Sequence, residues 1–194
     1  EVSDAEKPLG HLDIGIDLGL TNQIACSDGM VYSRENLTRH HEDALAMAQR
    51  ANKKTHTKTI QAKIANTRMD WTHKATTAIV QRAKLIVIGD VSSMKLIKTR
   101  FAKSTYDAAW GIARSQLHYK AKRLAGVCVE GNEMFSSVTC SDCGIRSGPS
   151  GLGALGVREW CCSACCVLHD RDVNAAQNIL RTGRGTPIKG IPAL

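Results

Sequence analysis

The chain has 194 residues, 43% of them hydrophobic and 23% charged, a composition that fits one globular domain of mixed class with a small insertion. This composition excludes a disordered tail, and because no apolar run approaches the length of a membrane span, it also excludes a membrane protein. The 26 lysine and arginine residues outnumber the 18 aspartate and glutamate residues and give a net charge of +8, which favours a polyanionic partner, nucleic acid first of all.

The predicted elements begin with three antiparallel strands. The apolar run HLDIGIDL, from His11 to Leu18, predicts a buried strand. The segment NQIACSDGMVYS, residues 22–33, predicts a hairpin that turns at Asp28 and Gly29. The chain is therefore expected to open with the antiparallel part of a sheet.

A long helical stretch is predicted from about Asn36 to Arg82, where the sequence is rich in Ala, Lys and Thr and has neither Pro nor Gly. Its apolar residues fall on one face, and the other face is basic. The apolar face consists of Ile60, Ile64, Trp71, Ala75, Ala78 and Ile79. Because residues 41–58 are mostly polar, we expect this part to project or fray and to need a partner outside the chain.

Alternating strands and helices complete the chain. The run LIVI at residues 85–88, followed by Gly89 and Asp90, predicts a central parallel strand. Three later elements are an amphipathic helix over 104–123 capped by Ser104, a buried strand over 126–129, and a last helix over 172–180 ended by Gly183. This order predicts an α/β fold with an RNase H-like (RuvC-type) mixed sheet, interrupted by a cysteine-rich insertion just before the last helix.

Four cysteines of the insertion have the spacing of a zinc ribbon. Cys140 and Cys143 form one CxxC knuckle. Cys162 and Cys165 form a second, after a loop rich in Gly, Ser and Pro, so four thiolates can close around one zinc ion. Two disulfides in a secreted domain are the alternative, which the lack of a signal segment disfavours. The remaining cysteines are interpreted as spare thiols or small apolar residues: Cys26, Cys128, Cys161 and Cys166.

Two aspartates are candidates for metal-dependent phosphodiester cleavage, which needs carboxylates that converge on a pair of magnesium ions about 4 Å apart. Asp17 ends the first strand before a Gly-containing turn, so its carboxylate is expected at the edge of the sheet. Capping of that turn is its alternative role. Asp172 begins the last helix, where capping of the helix is the alternative.

Five segments together resemble one known family: GIDLGLTN around Asp17, RMDWTHKAT at 68–76, CSDCG, REWCCSAC and HDRDVNAAQNIL. They are similar to the RuvC-type nuclease half of the TnpB family, transposon-encoded RNA-guided DNA endonucleases related to the type V CRISPR effectors. The resemblance spans about residues 11–183. It implies an RNase H-like fold, a zinc ribbon, Mg²⁺-dependent DNA cleavage by an Asp, Glu, Asp trio, and guidance by a transposon-end RNA in the prokaryotic cytoplasm, at the nucleoid. It also implies that Asp17 is the first acid and Asp172 the last, with Asp170 at a position less often assigned to metal.

The middle acid departs from the family pattern. Most members place Glu after the central strand in a Val-Glu-Asp-Leu string, and Gly89 stands at that position here. Asp90 is not expected to substitute, because successive strand side chains face opposite ways and its carboxylate is one methylene shorter. Glu133 follows the neighbouring strand, whose end lies about 5 Å away, and is expected to take over the role as in a rearranged site of some relatives. Glu130 is the rival of Glu133 for this role. The two positions are an odd number of residues apart, so if the strand continued they would face opposite sides of the sheet.

Two functions of different classes follow from these acids. In the first, Asp17, Glu133 and Asp172 hold two Mg²⁺ ions, one activating water and one stabilising the leaving 3′ oxygen, with the amino-terminal part of the family and a guide RNA needed for activity. In the second, the middle acid is lost and the chain is a nuclease-dead RNA-guided DNA binder or an inactive truncated remnant. The presence of both aspartates favours the first function. Clustered carboxylates repel one another, so a protein without catalytic activity would have no need to keep both as acids. A junction resolvase or integrase of the same fold and a zinc-ribbon interaction module are more distant alternatives.

The expected organisation has five parts: a linker or remnant of an amino-terminal part at 1–10, a RuvC-like core at 11–137, a zinc ribbon at 138–167, the last helix at 168–183 and a tail at 184–194. The start at Glu1 without an initiator Met is interpreted as a piece of a longer polypeptide. Basic residues expected to contact DNA or a guide-target heteroduplex are Lys74, Lys95, Lys98, Arg100, Lys103 and Arg158, each with a solvated surface as its alternative role. Trp160 is expected to pack against the second knuckle.

Overall fold

A mixed five-stranded sheet forms the centre of the computed structural model, which describes residues 10–34, 37–90, 109–154 and 156–184. Its strands are β1 (Leu12–Asp17), β2 (Ile24–Cys26), β3 (Val31–Tyr32), β4 (Ala83–Gly89) and β5 (Val127–Gly131). They lie in the order β3-β2-β1-β4-β5, with antiparallel pairing from β3 to β1 and parallel pairing from β1 to β5. The predicted mixed α/β fold, with its antiparallel opening and its central parallel strand, is confirmed.

The hairpin between β2 and β3 turns where the sequence predicts. Gly29 adopts a φ of +87°, a left-handed conformation that glycine accepts without strain. A carboxylate oxygen of Asp28 accepts a hydrogen bond from the Met30 N–H at 3.2 Å, an arrangement that Asp favours in turns.

Helices cover both faces of the sheet. They are α1 (Leu37–His40), α2 (Glu42–Arg50), α3 (Lys54–Arg82), α4 (Trp110–Arg123) and α5 (Arg171–Arg184). Helices α3 and α4 lie on one face, where their buried residues form the main core with β1, β2 and β4. Helix α5 covers the other face. Among the described residues, no helix is both long enough and apolar enough to cross a membrane.

The long helical stretch predicted after β3 is divided, and its polar half does not project. Asn52 has a φ of +51°, which ends α2 and lets the chain turn back. Ala48 of α2 packs against Ile60 and Ile64 of α3 in a small separate core, with Leu45 partly buried beside them. The prediction that this segment needs an outside partner is therefore wrong for α2, because its short apolar stripe is already covered within the chain.

The last helix extends past the residue predicted to end it. Helix α5 runs to Arg184, and Gly183 lies inside it rather than after it. A Cβ at Gly183 would lie 2.1 Å from Cγ1 of Val87 on β4. The glycine therefore serves close packing of the helix on the sheet, and the prediction that it acts as a carboxy-terminal cap is wrong.

The cysteine-rich insertion joins the sheet directly to α5. It contains a short 3-10 turn (Leu152–Ala154) and an antiparallel pair, β6 (Glu159–Cys161) and β7 (Leu168–Asp170). Strand β7 is followed at once by α5, so the insertion sets where the first turn of that helix lies. The helix cap predicted at Ser104 lies outside the described residues.

Candidate active site and cysteine cluster

Asp17 ends β1 on the face of the sheet that α5 covers. Ile14 and Ile16 belong to the core on the opposite face. A Cβ at Gly15 would instead lie 2.0 Å from the carbonyl oxygen of Ala176 in α5. Because side chains alternate along a strand, Asp17 shares the face of Gly15 and points towards the start of α5.

Three carboxylates converge at this point. Burial, and after it the negative charges of Asp172 and Glu133, raise the pKa of Asp17 to about 7 against the opposing effect of Arg171 and Arg158. These effects of charge place the carboxylate of Asp17 close to those of Asp172 and Glu133. Asp17 itself is half-buried at the end of the sheet. The structure thus brings together the three acids that the sequence singled out.

Glu133 fills the space beside Gly89. A Cβ at position 89 would lie 2.8 Å from Oε2 of Glu133 and 3.0 Å from Cδ1 of Ile179 in α5. The carboxylate of Glu133 therefore occupies the volume that a side chain at position 89 would take. The N–H of Glu133 donates to a carboxylate oxygen of Asp90 at 3.1 Å, which fixes the start of the loop after β5.

The rival acids point elsewhere. Glu130 pairs in register with Ile88, a core residue of the opposite face, and its Oε1 lies 3.6 Å from Nε of Arg114 in α4. Asp90 is exposed and supports the Glu133 loop by the hydrogen bond just described. Both observations agree with the alternation of side chains along β4 and β5.

Asp170, and not Asp172, caps α5. A carboxylate oxygen of Asp170 accepts the N–H groups of Asp172 at 3.0 Å and Val173 at 2.8 Å. Asp172 instead accepts a hydrogen bond from the side-chain amide of Asn22 at 2.8 Å, and Nη1 of Arg158 lies 3.2 Å from both of its oxygens. The carboxylate of Asp172 is therefore free of the capping role that was its alternative.

Sequence patterns did not identify Asn22 or Arg171 as residues of this site. Asn22 contacts Asp172 across 150 positions of the chain, and Arg171 acts on Asp17 by its charge. The one available signal for Asn22 was its place in the GLTN segment that follows Asp17.

The four CxxC cysteines form a compact cluster. The sulfur atoms of Cys140, Cys143, Cys162 and Cys165 all lie within 4.8 Å of one another, and two of the separations are 3.6 Å. A tetrahedral zinc ion with Zn–S bonds of about 2.3 Å needs sulfur atoms roughly 3.8 Å apart, so the cluster fits such an ion. All eight cysteines lie in the described part of the chain and are free thiols, which disagrees with the disulfide alternative.

Buried polar and aromatic groups surround the cluster. Nε2 of His169 lies 3.1 Å from the sulfur of Cys140, and the ring of Trp160 lies 4.7 Å from the His169 ring. Trp160 packs against the cluster cysteines with 8% of its surface exposed, as expected. A hydrogen bond from Ser147 and backbone N–H groups lower the pKa of Cys162 to about 5, which favours a thiolate there at neutral pH.

The expected nucleic-acid contacts are only partly described. Arg158 lies at the acid site, where it donates to Thr21 at 2.9 Å in addition to its contact with Asp172. Lys74 is exposed on α3 and pairs with Asp70 at 2.7 Å, which agrees with a solvated helix face. The others lie outside the described residues: Lys95, Lys98, Arg100 and Lys103.

Comparisons with known proteins extend this picture. A family model described as the Cas12f1-like TNB domain matches residues 110–179. A Streptomyces pristinaespiralis protein named for RNA-guided DNA endonuclease activity is 36% identical over 184 residues, which cover 88% of this chain and 45% of that protein. InsQ of Escherichia coli (strain K12), named for the same activity, is 28% identical over an alignment of 211 positions that covers 94% of this chain and 52% of InsQ. The chain thus spans about half the length of these curated relatives.

Two solved structures share the fold. The structure of a Cas12f1-sgRNA-target DNA complex matches with a TM-score of 0.65 at 19% identity, over 93% of this chain and 52% of that one. The structure of a CRISPR-Cas12f ternary complex matches with a TM-score of 0.62 at 16% identity, over 92% of this chain and 40% of that one. At these identities the likeness concerns the arrangement of helices and strands.

Proposed function

The chain belongs to the TnpB-like family, and from this premise we propose that it is the RuvC-like nuclease part of an RNA-guided DNA endonuclease. In this proposal residues 11–137 and 168–183 form an RNase H-like core, and residues 138–167 form an inserted zinc ribbon. The single observation that carries the proposal is the convergence of Asp17, Glu133 and Asp172 at one end of the sheet.

The donor set fits hard divalent cations. Three carboxylates offer only oxygen ligands, which Mg²⁺ prefers. Burial, and after it the charges of the other two acids, raise the pKa of Asp17, and a bound cation would offset the repulsion among the three. When two Mg²⁺ ions are bound, they supply an activated water and stabilise the leaving 3′ oxygen of the phosphodiester. The three acids act as ligands, and Asn22 holds Asp172 in position through its amide.

Arg158 is proposed to contact the DNA backbone at this site. Its side chain is 42% exposed, and its guanidinium group reaches the acid cluster through Asp172. A bound cation competes for the same carboxylate, so the guanidinium would then be available to a phosphate. The net charge of +8 supports DNA and a guide RNA as partners of the chain.

The cysteine cluster is proposed to hold a structural zinc ion. Its four sulfur atoms are at tetrahedral separations and no position is left open, as in sites that stabilise a fold rather than catalyse. Strand β7 leads from the second knuckle to Asp170 and then to Asp172, so the ion would stabilise the segment that delivers the last acid.

The proposal is tested by Mg²⁺-dependent cleavage of labelled single-stranded DNA by the purified chain, with Asp17→Asn and Glu133→Gln variants. Glu130→Gln is the matched control, because Glu130 lies on the opposite face and pairs with Arg114. Loss of cleavage in the first two variants and retention in the control is the expected result. Cleavage that survives Glu133→Gln would contradict the rearranged acid. DNA binding without cleavage by the parent chain would favour either the nuclease-dead binder or a nuclease part that needs the amino-terminal part of the family.

A further inference from the structure

Two buried amides of α5 hold the loop that carries Glu133. Asn174 and Asn178 are 1% and 7% exposed and lie four residues apart, on one side of the helix. Asn174 donates to the carbonyl oxygens of Ser136 at 3.1 Å and Thr139 at 2.8 Å. Asn178 donates to the same two oxygens, at 2.9 Å and 2.7 Å. The two amide groups have four N–H donors and the two carbonyls have four lone pairs, so the set is fully matched.

The same helix also holds the residue just before Glu133. The hydroxyl of Thr182 lies 3.2 Å from the carbonyl oxygen of Asn132 and 2.9 Å from that of Ile179 in its own helix, and it shares its one proton between them. Ser136 in turn donates its N–H to the carbonyl oxygen of Glu133 at 3.0 Å, which closes the loop on itself. Glu133 is thus bracketed by bonds to α5 on both sides along the chain.

A third contact links this helix to the first cysteine knuckle. The side-chain oxygen of Asn174 accepts the N–H of Ser141 at 2.8 Å, and Arg181 donates to the carbonyl oxygen of Ser141. Ser141 lies between Cys140 and Cys143, so the loop is held by α5 at its start, middle and end.

These contacts are costly to place in a protein interior unless they are all made. A buried carbonyl that loses its donor is left without a hydrogen-bond partner, and apolar residues would pack the same helix face without that risk. The bonds join the loop of Glu133 to the helix whose first turn carries Asp172. A misplacement of roughly 1 Å in such a constellation can cost about a hundredfold in rate.

We propose that Asn174 and Asn178 are positioning residues that hold Glu133 in register with Asp172, so that the three acids form one metal site. This inference rests on the proposed function. Neither amide touches the reacting atoms, and each acts through the loop backbone. The loop and the helix then move as one unit, and the acid of the loop keeps a fixed distance from the acid of the helix.

The test compares Asn178→Ala and the milder Asn178→Ser with the wild-type chain and with Gln177→Ala, an exposed neighbour on the same helix. Mn²⁺ affinity is measured by electron paramagnetic resonance, hydrogen exchange is followed over residues 132–141, and zinc content is determined. We expect Mn²⁺ to bind at least tenfold more weakly in Asn178→Ala, with faster exchange over 132–141 and unchanged zinc. Asn178→Ser should lie between, and Gln177→Ala should match the wild type.

Three results would overturn the inference, and they differ from one another. Unchanged Mn²⁺ affinity in both Asn178 variants, where Asp17→Asn abolishes binding, would overturn it and leave the proposed function intact. Faster exchange throughout the chain in both variants would reveal a general structural role instead. Mn²⁺ binding by the wild type that Asp17→Asn does not affect would overturn the proposed function itself.

Discussion

Gly89 and Glu133 share one space at the end of two neighbouring strands. A Cβ at Gly89 would lie 2.8 Å from Oε2 of Glu133, so the two positions cannot both carry an acid without displacement. Position 89 is where the resemblance to the TnpB family places a glutamate, and the carboxylate of Glu133 fills that place from the loop after the adjacent strand. The geometry supports a transfer of the acid and is harder to explain if the acid had been lost.

This relationship predicts the outcome of an exchange of acids. Glu133→Ala should lower Mg²⁺-dependent cleavage by at least about a hundredfold, since it removes a proposed ligand of the site. Gly89→Glu should also impair cleavage, because two carboxylates then compete for one volume. The double variant Gly89→Glu with Glu133→Ala should recover a measurable part of the lost rate. Single-turnover cleavage kinetics measure all three, and a double variant no faster than Glu133→Ala would contradict the shared space.

Asp17 should make the stability of the metal-free chain depend on pH. Its pKa is raised to about 7, so the folded state keeps a proton that the unfolded state loses above about pH 4. The free energy of unfolding should therefore fall as the pH rises from about 4 to 7. Above pH 7 it should stay lowered by the full cost of ionising Asp17 in the folded state. Asp17→Asn removes this cost, which we place on the order of 2 kcal/mol because the site is partly exposed.

Thermal unfolding in the presence of a chelator of divalent cations checks this expectation. Asp17→Asn should raise the Tm by roughly 4–8 °C at pH 8 and leave it nearly unchanged at pH 4. Added Mg²⁺ should raise the Tm of the wild type more than that of the variant. An equal gain for the variant at both pH values would show that the effect is packing and not charge.

Much of this site follows from local rules of sequence. The end of the first strand was enough to predict Asp17 at the edge of the sheet, and the period of two along a strand was enough to place Glu130 on the face away from the site. The CxxC spacing was likewise enough to select Cys162 and Cys165, and the structure leaves Cys161 and Cys166 exposed outside the cluster. Rules of this kind need no knowledge of which elements meet.

The remaining features depend on contacts between distant parts of the chain. The amide pair Asn174 and Asn178 binds carbonyls 35 to 42 positions away, and no local pattern indicates those partners. The packing of α2 against α3 depends on the left-handed conformation of Asn52, which the polar sequence around that residue does not specify. Helix ends near glycine are ambiguous for the same reason, since a glycine that ends a helix and one that packs against a strand look alike in sequence.

The cysteine cluster should bind one zinc ion through four of the six cysteines of the insertion. Cys162→Ser should lower the zinc content from about one per chain to near zero and speed hydrogen exchange over residues 138–170, since a structural site contributes directly to folding. Cys161→Ser is the matched control, because Cys161 is exposed and lies next to the cluster without belonging to it. It should keep its zinc. Elemental analysis of the purified variants measures the zinc content. An equal loss of zinc in Cys162→Ser and Cys161→Ser would contradict the assignment of the ligands.

Two glycines in helices should respond oppositely to alanine. In a helix interior, Gly→Ala normally stabilises by about 0.5–1 kcal/mol through the lower entropy of the unfolded chain. At Gly111, in the first turn of α4, the substitution should stabilise in the same direction by a smaller amount, because a Cβ there would meet no described atom within 4 Å. At Gly183 a Cβ would lie 2.1 Å from Cγ1 of Val87, so α5 must shift away from β4 and the same substitution should destabilise by roughly 1–3 kcal/mol. Urea unfolding measures both. Because α5 carries Asp172, Gly183→Ala should also weaken Mn²⁺ binding, and a stabilised Gly183→Ala chain would show that the glycine is not required for close packing.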